Sequence, residues 1–414
     1  MKIEDFLSNK GKRISFPEKC ILNQAEQQQT MKINASMGIS AIDGQVCYLP
    51  SITQFFNAEP HEVVKFSPLC GFHELRNLYK ERIIKQNNLF QYHISLPIIT
   101  NGITHALALA RDLFFDPGEC LIVHDMYWEN YDLMFQEIGE VVIKKYNMFQ
   151  NDLFDIDSLK KCLLKNLSNK KISLLFNFPN NPTGYTPSQE MANQIADLIY
   201  EIAEQNRINF LVLIDEAGYG FFYDDFICQE SLFSLLLKRK SNYIIPVLAK
   251  GSTKEDLSYG LRVASITFGV NTEISKTLEG KCAGFIRGNL STVASPTQIA
   301  CINGIKSASR NSEFLFICNT LKERYNIIFN DIIPSLILKG FNKYFYLYPC
   351  NSGFFVTLKL LMYDSDFFQK SLNSYNIGIN ILDKNHIRVC FSSVNKEDLR
   401  YLFDTLFAIA INGK

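Results

Sequence analysis

Residues 251–264 read Gly-Ser-Thr-Lys-Glu-Asp-Leu-Ser-Tyr-Gly-Leu-Arg-Val-Ala, which sets Lys254 in a turn eight residues ahead of Arg262. A lysine whose ammonium is desolvated becomes an amine that can attack a carbonyl, and an arginine is a forked donor for phosphate or carboxylate. Either residue alone is ordinary solvated surface. The flanks argue for more. Residues 243–249 are an apolar run that reads as a buried strand, and Arg262 opens a second apolar run ending in Thr267, Phe268 and Gly269. Lys254 is therefore expected on a loop at a strand end, where open α/β sheets hold their ligands.

Four further stretches carry side chains of the same promise. Residues 100–106, Thr-Asn-Gly-Ile-Thr-His-Ala, join a strand to a helix, so the backbone around Gly102 and Ile103 and the Thr104 hydroxyl point where a helix N-terminus would hold a phosphate. Turn chemistry explains such a glycine equally well. His105 has no partner at metal-ligand spacing. Residues 124–131 hold the single tryptophan, Trp128, as a stacking platform or as core. Residues 177–184, Asn-Phe-Pro-Asn-Asn-Pro-Thr-Gly, form a loop stiffened by two prolines that presents the Asn181 amide. Asp215 ends an apolar strand, and a carboxylate half-buried there needs a cationic partner, whether an arginine or a protonated ring nitrogen.

The elements that must position these residues follow from the texture of the chain. Between about residues 95 and 270, short apolar β-rich runs (96–100, 121–123, 141–144, 172–176, 210–214) alternate with helical patterns such as 103–115 and 189–205. That alternation predicts an α/β fold with a mostly parallel central sheet and helices on both faces. Past Pro296 come amphipathic helices, 298–309 and 312–333, then an α+β block with strands near 353–358, 377–381 and 387–391 and a last helix from Lys396. The first 45 residues fit no βα unit and are expected to pack on that block. The domain expectation is a large domain over 46–304 and a smaller one from 1–45 and 305–414, which suits a chain of 414 residues with 47% apolar content.

Lysine plus arginine and aspartate plus glutamate both number 42, so no excess of positive charge advertises nucleic acid or an anionic membrane. Small or zwitterionic ligands fit better. The 11 cysteines are scattered with no CxxC pair, as expected of reduced thiols in the cytoplasm. The first residues carry acids where an export signal needs a basic patch, and no run approaches membrane-spanning length.

In this order, Gly/Thr turn, Trp loop, Asn-Pro-Thr-Gly, strand-end Asp, Lys and Arg eight later, the chain resembles the class I/II (fold type I) pyridoxal-phosphate aminotransferases over nearly its whole length. The closest likeness is to a subgroup whose lysine segment reads Thr-Lys-Glu-Asp, here within 252–256. The resemblance implies pyridoxal 5′-phosphate as cofactor. Lys254 would form the Schiff base and shuttle the proton at Cα; Asp215 would pair with the pyridinium nitrogen, which keeps the ring an electron sink. Asn181 would bond the ring O3′ and face the substrate, and Trp128 would stack on the ring. Gly102, Ile103, Thr104, Ser252 and Arg262 would hold the phosphate. In the segment His-Ile-Arg-Val-Cys-Phe-Ser at 386–392, Arg388 would take the substrate carboxylate, with Gly38 beside it. By analogy with aspartate-type members, Arg287 and Ser291 would reach the partner's site in a homodimer with shared active sites.

Two departures stand out. The family's Asp-x-Ala-Tyr becomes Asp-Glu-Ala-Gly-Tyr at 215–219, so Gly218 stands where a tyrosine usually donates to O3′. Tyr219, one residue on, is the phenol left for the cofactor, and a continuing strand would aim it at the opposite side unless the loop swings it back. Phe66 likewise stands where the family offers a tyrosine to the neighbour's phosphate. The gap at Gly218 could also make room for an unusual substrate. The function implied is transfer of an amino group between an amino acid and a 2-oxo acid. Elimination, replacement or decarboxylation on the same scaffold, and a non-enzymatic binding or regulatory role, are the alternatives, because fold does not fix which Cα bond breaks.

Overall fold

Residues 7–15, 20–54 and 58–412 are described by the computed structural model on which the following rests. Seven of the apolar runs become strands of one sheet: β1 (Ile98–Thr100), β2 (Cys120–His124), β3 (Val142–Tyr146), β4 (Lys171–Asn177), β5 (Asn209–Asp215), β6 (Ile244–Gly251) and β7 (Ala264–Phe268). Their order is β1-β7-β6-β5-β4-β2-β3, and β7 alone among them runs against the rest. Both faces are covered, which is why β4 and β5 are buried over nearly their whole length rather than alternating. The alternation of strand side chains still decides what each face meets. Leu174, Phe176, Val212, Ile214 and Leu248 pack with Ile195, Ile199 and Ile202 of the helix Gln189–Asn206. Leu175, Leu211, Leu213, Val247 and Ala249 face the other way, onto Leu107 and Ala110 of the helix Gly102–Phe114. Each such fully buried aliphatic side chain contributes about 1.5–3 kcal/mol over its exposed state.

The C-terminal block holds a second, antiparallel sheet of β8 (Phe345–Leu347), β9 (Phe355–Leu360), β10 (Asn380–Asp383) and β11 (His386–Cys390), in the order β8-β9-β11-β10. The N-terminal segment joins it. Ile33–Asn34 pairs in parallel with Ile377–Gly378, and the Gln24 and Gln28 amides donate to the carbonyls of Ile381 and Ile379 at 2.9 Å each. The single strand expected over 377–381 is thus two short ones with different partners. The long helix expected over 312–333 is also broken: Arg310–Asn326 passes through a π-helical turn at Ile327–Ile332 into Ile333–Leu338. Pro334, which has no N–H and crowds the preceding turn, accounts for the widening.

The two sheets are joined by the loop that follows β4. The Gly184 carbonyl accepts from the amides of Asn351 and Ser352 at 3.0 and 2.8 Å, and the Thr357 hydroxyl donates to the Pro182 carbonyl at 2.7 Å. Gly184 has φ +76°, and a Cβ there would overlap the carbonyl of Phe355. Gly184→Ala is expected to lower stability by at least about 1–3 kcal/mol, the cost of a left-handed non-glycine residue, with the backbone clash added. Urea unfolding of the purified variant measures it, and an unchanged midpoint would contradict the docking role given to this loop.

Candidate active site

Three strand ends meet at one corner of the central sheet. Ala264 opens β7 opposite both Thr100, the last residue of β1, and Gly251, the last of β6. The Ser252 amide extends that ladder to the Val263 carbonyl at 3.0 Å before the chain turns into the short helix Ser252–Glu255. Gly102 lies against Arg262: its φ is +82°, and a Cβ would overlap the guanidinium. Only glycine leaves that fork room. The helix Gly102–Phe114 has no side-chain cap, so the first-turn amides of Gly102, Ile103 and Thr104 have no intrahelical partner. Arg262 donates to the Tyr259 carbonyl at 3.1 Å, and burial makes its charge harder to hold than usual. The Thr253 hydroxyl is buried with no partner among the described residues, whereas Ser252 shares a 2.5 Å hydrogen bond with the Tyr79 hydroxyl. Free amides at a helix N-terminus with an arginine fork against them form an anion cradle.

Asp215 ends β5 beside this corner, 2% exposed. One carboxylate oxygen accepts from the Tyr131 hydroxyl at 2.6 Å and the other from the Ala217 amide at 2.9 Å. Burial pushes the carboxyl up from its ordinary value, against these two hydrogen bonds and the attraction of Lys254. Lys254 is pushed down to about 8, chiefly by burial, with Arg388 adding to the shift and Asp215 opposing it. Its ammonium stands 5.2 Å from the centre of each of the Phe354 and Phe355 rings. Tyr131 is a site residue that sequence reasoning missed. Its signal was the spacing from Trp128: the Tyr131 amide bonds the Trp128 carbonyl one turn back, and the two rings meet edge to face at 5.6 Å.

Arg388, on β11, is 2% exposed and reaches across to the central sheet. It donates to the side chains of Asn181 at 2.8 Å and Asn380 at 2.6 Å and to the Ser36 carbonyl at 3.3 Å. Its Nε is buried without a partner among the described residues, and its guanidinium lies 4.2 Å from the centre of the Phe355 ring. Gly38 comes down on the same ring, since a Cβ there would meet Phe355 Cζ at 3.2 Å. Asn181 is held in turn through its amide, which donates to the Asn177 side chain at 2.8 Å, while that side chain's amide donates to the Asp215 carbonyl at 2.9 Å. Asp215, Asn181 and Arg388 are thus linked by one chain of hydrogen bonds.

Other residues singled out from the sequence lie elsewhere. Tyr219 is buried, but its hydroxyl donates to the Gln229 carbonyl at 3.1 Å and its ring faces Lys250, so it does not join Asn181 or Lys254. Position 218 offers little spare room, because a Cβ would meet Pro179 at 3.2 Å. Arg287 and Ser291 bond each other at 2.8 Å at the exposed end of the helix Thr272–Asn289. Phe66 is 88% exposed.

Comparison with known proteins places this arrangement. The family model for aminotransferase class I and II matches residues 31–406. The chain is 27% identical over 294 residues to an aspartate aminotransferase of Pyrococcus horikoshii, covering 70% of this chain and 68% of that protein. It is 27% identical over 165 residues to a probable aspartate/prephenate aminotransferase of Aquifex aeolicus, where the match covers 39% of this chain and 38% of the relative's length. Among solved structures, an aminotransferase from Anaerococcus prevotii superposes with a TM-score of 0.81 at 26% identity, over 98% of this chain and all of that one (100%). An alanine aminotransferase from Pyrococcus furiosus shares the fold at a TM-score of 0.77 and 18% identity, over 98% of this chain and 100% of that one.

The residues present fit pyridoxal phosphate. The anion cradle suits the phosphate, buried Asp215 needs a protonated ring nitrogen to satisfy its charge, and a desolvated amine stands ready for the aldehyde. Two expectations follow from the geometry. Because the Lys254 amine reacts only without its proton, cofactor attachment to the cofactor-free protein should speed up with pH and level off above about 8, where an ordinary lysine would go on gaining to about 10.4. Stopped-flow absorbance reads the midpoint. Tyr131→Phe removes a donor to a buried carboxylate, a bond of about 1.5–3 kcal/mol, and should weaken cofactor binding about tenfold or more in equilibrium dialysis.

Proposed function

The chain belongs to the class I and II aminotransferases, and from that membership we propose that it moves an amino group between an amino acid and a 2-oxo acid, in two half-reactions on one pyridoxal phosphate. The observation that carries the reading is the amine of Lys254, made acidic by burial and within electrostatic reach of both buried Asp215 and Arg388, on the turn that follows the strand ending at the cradle's corner. When bound, the cofactor supplies an electron sink for the pair left at the substrate Cα.

The chain's own residues do the rest. Arg262 and the first-turn amides of Gly102, Ile103 and Thr104 hold the phosphate. Asp215, oriented by Tyr131 and the Ala217 amide, holds the proton on the ring nitrogen. Asn181 faces O3′ and Trp128 the ring. Lys254 would hold the cofactor at its aldehyde carbon, and its amine, once free, would carry the proton between the substrate Cα and the cofactor C4′. Arg388 meets the substrate carboxylate with its unpartnered Nε, pre-oriented by Asn181 and Asn380 and backed by Phe355. A fixed fork of this kind loses little freedom on binding. Gly38 lets the N-terminal segment close over Phe355.

The active unit in this reading is a homodimer, with Arg287 and Ser291 carried on an exposed helix end toward the partner's site. A reducing compartment such as the cytoplasm suits eleven cysteines that are all free. The relatives' names, aspartate, aspartate/prephenate and alanine aminotransferases, make aspartate and alanine the first donors to try.

The test is to add single amino acids to the pure, cofactor-loaded protein. The expected result is conversion of the cofactor to its aminated form with one 2-oxo acid released per site; ammonia released without any acceptor would instead indicate elimination. Lys254→Ala should lose covalent attachment of the cofactor. Arg388→Met should cost about 2–5 kcal/mol in kcat/KM, the usual loss on truncating one partner of a buried charged pair, chiefly through KM.

A further inference from the structure

Directly beneath the candidate site lies a buried ionic network that the mechanism does not use. Lys250, on β6 and 4% exposed, places its ammonium 3.0 Å from the carboxylate of Glu216 and 3.5 Å from that of Glu255. These are no arbitrary partners. Glu216 is the residue after Asp215, and Glu255 is the residue after Lys254. The Tyr219 ring closes the ammonium off from a third side, its centre 3.2 Å away. On the far side Asp256, fully buried, accepts from Arg82 at 2.9 and 3.2 Å and from Arg310 at 2.9 and 2.6 Å. Arg310 also donates to the Glu255 carbonyl at 2.9 Å, and Gln86 to the Glu255 side chain at 2.6 Å. Three cations face three carboxylates, so the network is neutral, as burial requires.

We propose that Lys250 is a positioning residue for the Asp215 and Lys254 pair: by gripping the carboxylates that follow each of them, its ammonium fixes the lysine turn against the end of β5. The inference rests on the reading of Lys254 as the cofactor's lysine. A turn of four residues, Ser252–Glu255, has too few hydrogen bonds of its own to hold a buried amine in place. The charges behind it supply that restraint. If the restraint is lost, the turn swings toward solvent, water reaches the Lys254 amine, and its proton becomes harder to remove.

The test reads the Lys254 amine directly, in cofactor-free protein, by the pH dependence of its labelling with an amine-acylating reagent, followed by mass spectrometry of its peptide. Glu216→Gln separates the alternatives by sign. Removing a negative charge would by simple electrostatics make Lys254 easier to deprotonate and lower the midpoint, whereas releasing the turn raises it. A rise of about one pH unit, a tenfold smaller deprotonated fraction at neutral pH, is expected. The double variant Lys250→Met, Glu216→Gln removes one charge of each sign and leaves Arg82 and Arg310 facing Glu255 and Asp256, so the buried network stays neutral. It should show the same rise, with retained melting cooperativity as the check on folding. A midpoint that falls or stays put in folded Glu216→Gln, or in the double variant, overturns the proposal. Borohydride reduction of the loaded wild-type protein, with mapping of the modified peptide, tests the underlying reading separately, since a cofactor found off Lys254 would defeat that reading whatever the variants do.

Discussion

The proton on Lys254 is what the site is built to control. An ammonium taken out of water loses hydration that only a fixed partner can replace, and here that partner, Asp215, is itself buried and already spends both carboxylate oxygens on Tyr131 and Ala217. The attraction between the two therefore falls short of the cost of burying the lysine, and Arg388 nearby adds a like charge. An amine that gives up its proton near pH 8 is the consequence. The Phe354 and Phe355 rings lie against the amine, and Tyr131 and the Ala217 amide hold Asp215 in place.

That balance needs two sheets to meet with small tolerance. The central sheet contributes Asp215, Asn181 and the anion cradle; the C-terminal sheet contributes Arg388 and Phe355. The loop after β4 closes the gap between them, bonded to β9 through Thr357 and to the turn before it through Gly184. The Phe355 ring is shared ground: Lys254, Arg388 and the Gly38 segment all lie against it. In the proposed reading, where the substrate's two charged ends reach Arg388 and Lys254 together, the spacing of the sheets sets which substrates fit.

Much of this could be read along the chain because the signals are local. Apolar runs alternating with helical patterns gave β4, β5 and β6 to within two residues, since strands buried on both faces have to be apolar throughout. Where a partner or a backbone detail decided, the expectation departed from the outcome. The strand expected over 377–381 divides because residues 33–34, far away in sequence, claim its first half. Ser252 and Tyr219 have the side chains for cofactor binding, yet one hydroxyl is taken by Tyr79 and the other by Gln229. Thr253 and Tyr131 lie inside stretches that the sequence singled out, yet which hydroxyl lacks a partner and which one meets Asp215 is visible only in the packed structure.

By itself the sequence determined the fold class and the family resemblance; it singled out Lys254, Asp215, Asn181 and Arg262 as candidates by residue type at a strand end or in a rigid turn, and Arg388 through the resemblance. Tertiary structure alone decided what those residues can do. The acidity of Lys254, the unpartnered Nε of Arg388, the overlap that forbids a side chain at Gly102 and the clasp of Lys250 on Glu216 and Glu255 all depend on which groups from distant segments are buried together. Desolvation and charge proximity are properties of the packed interior, and a linear order of residues does not contain them.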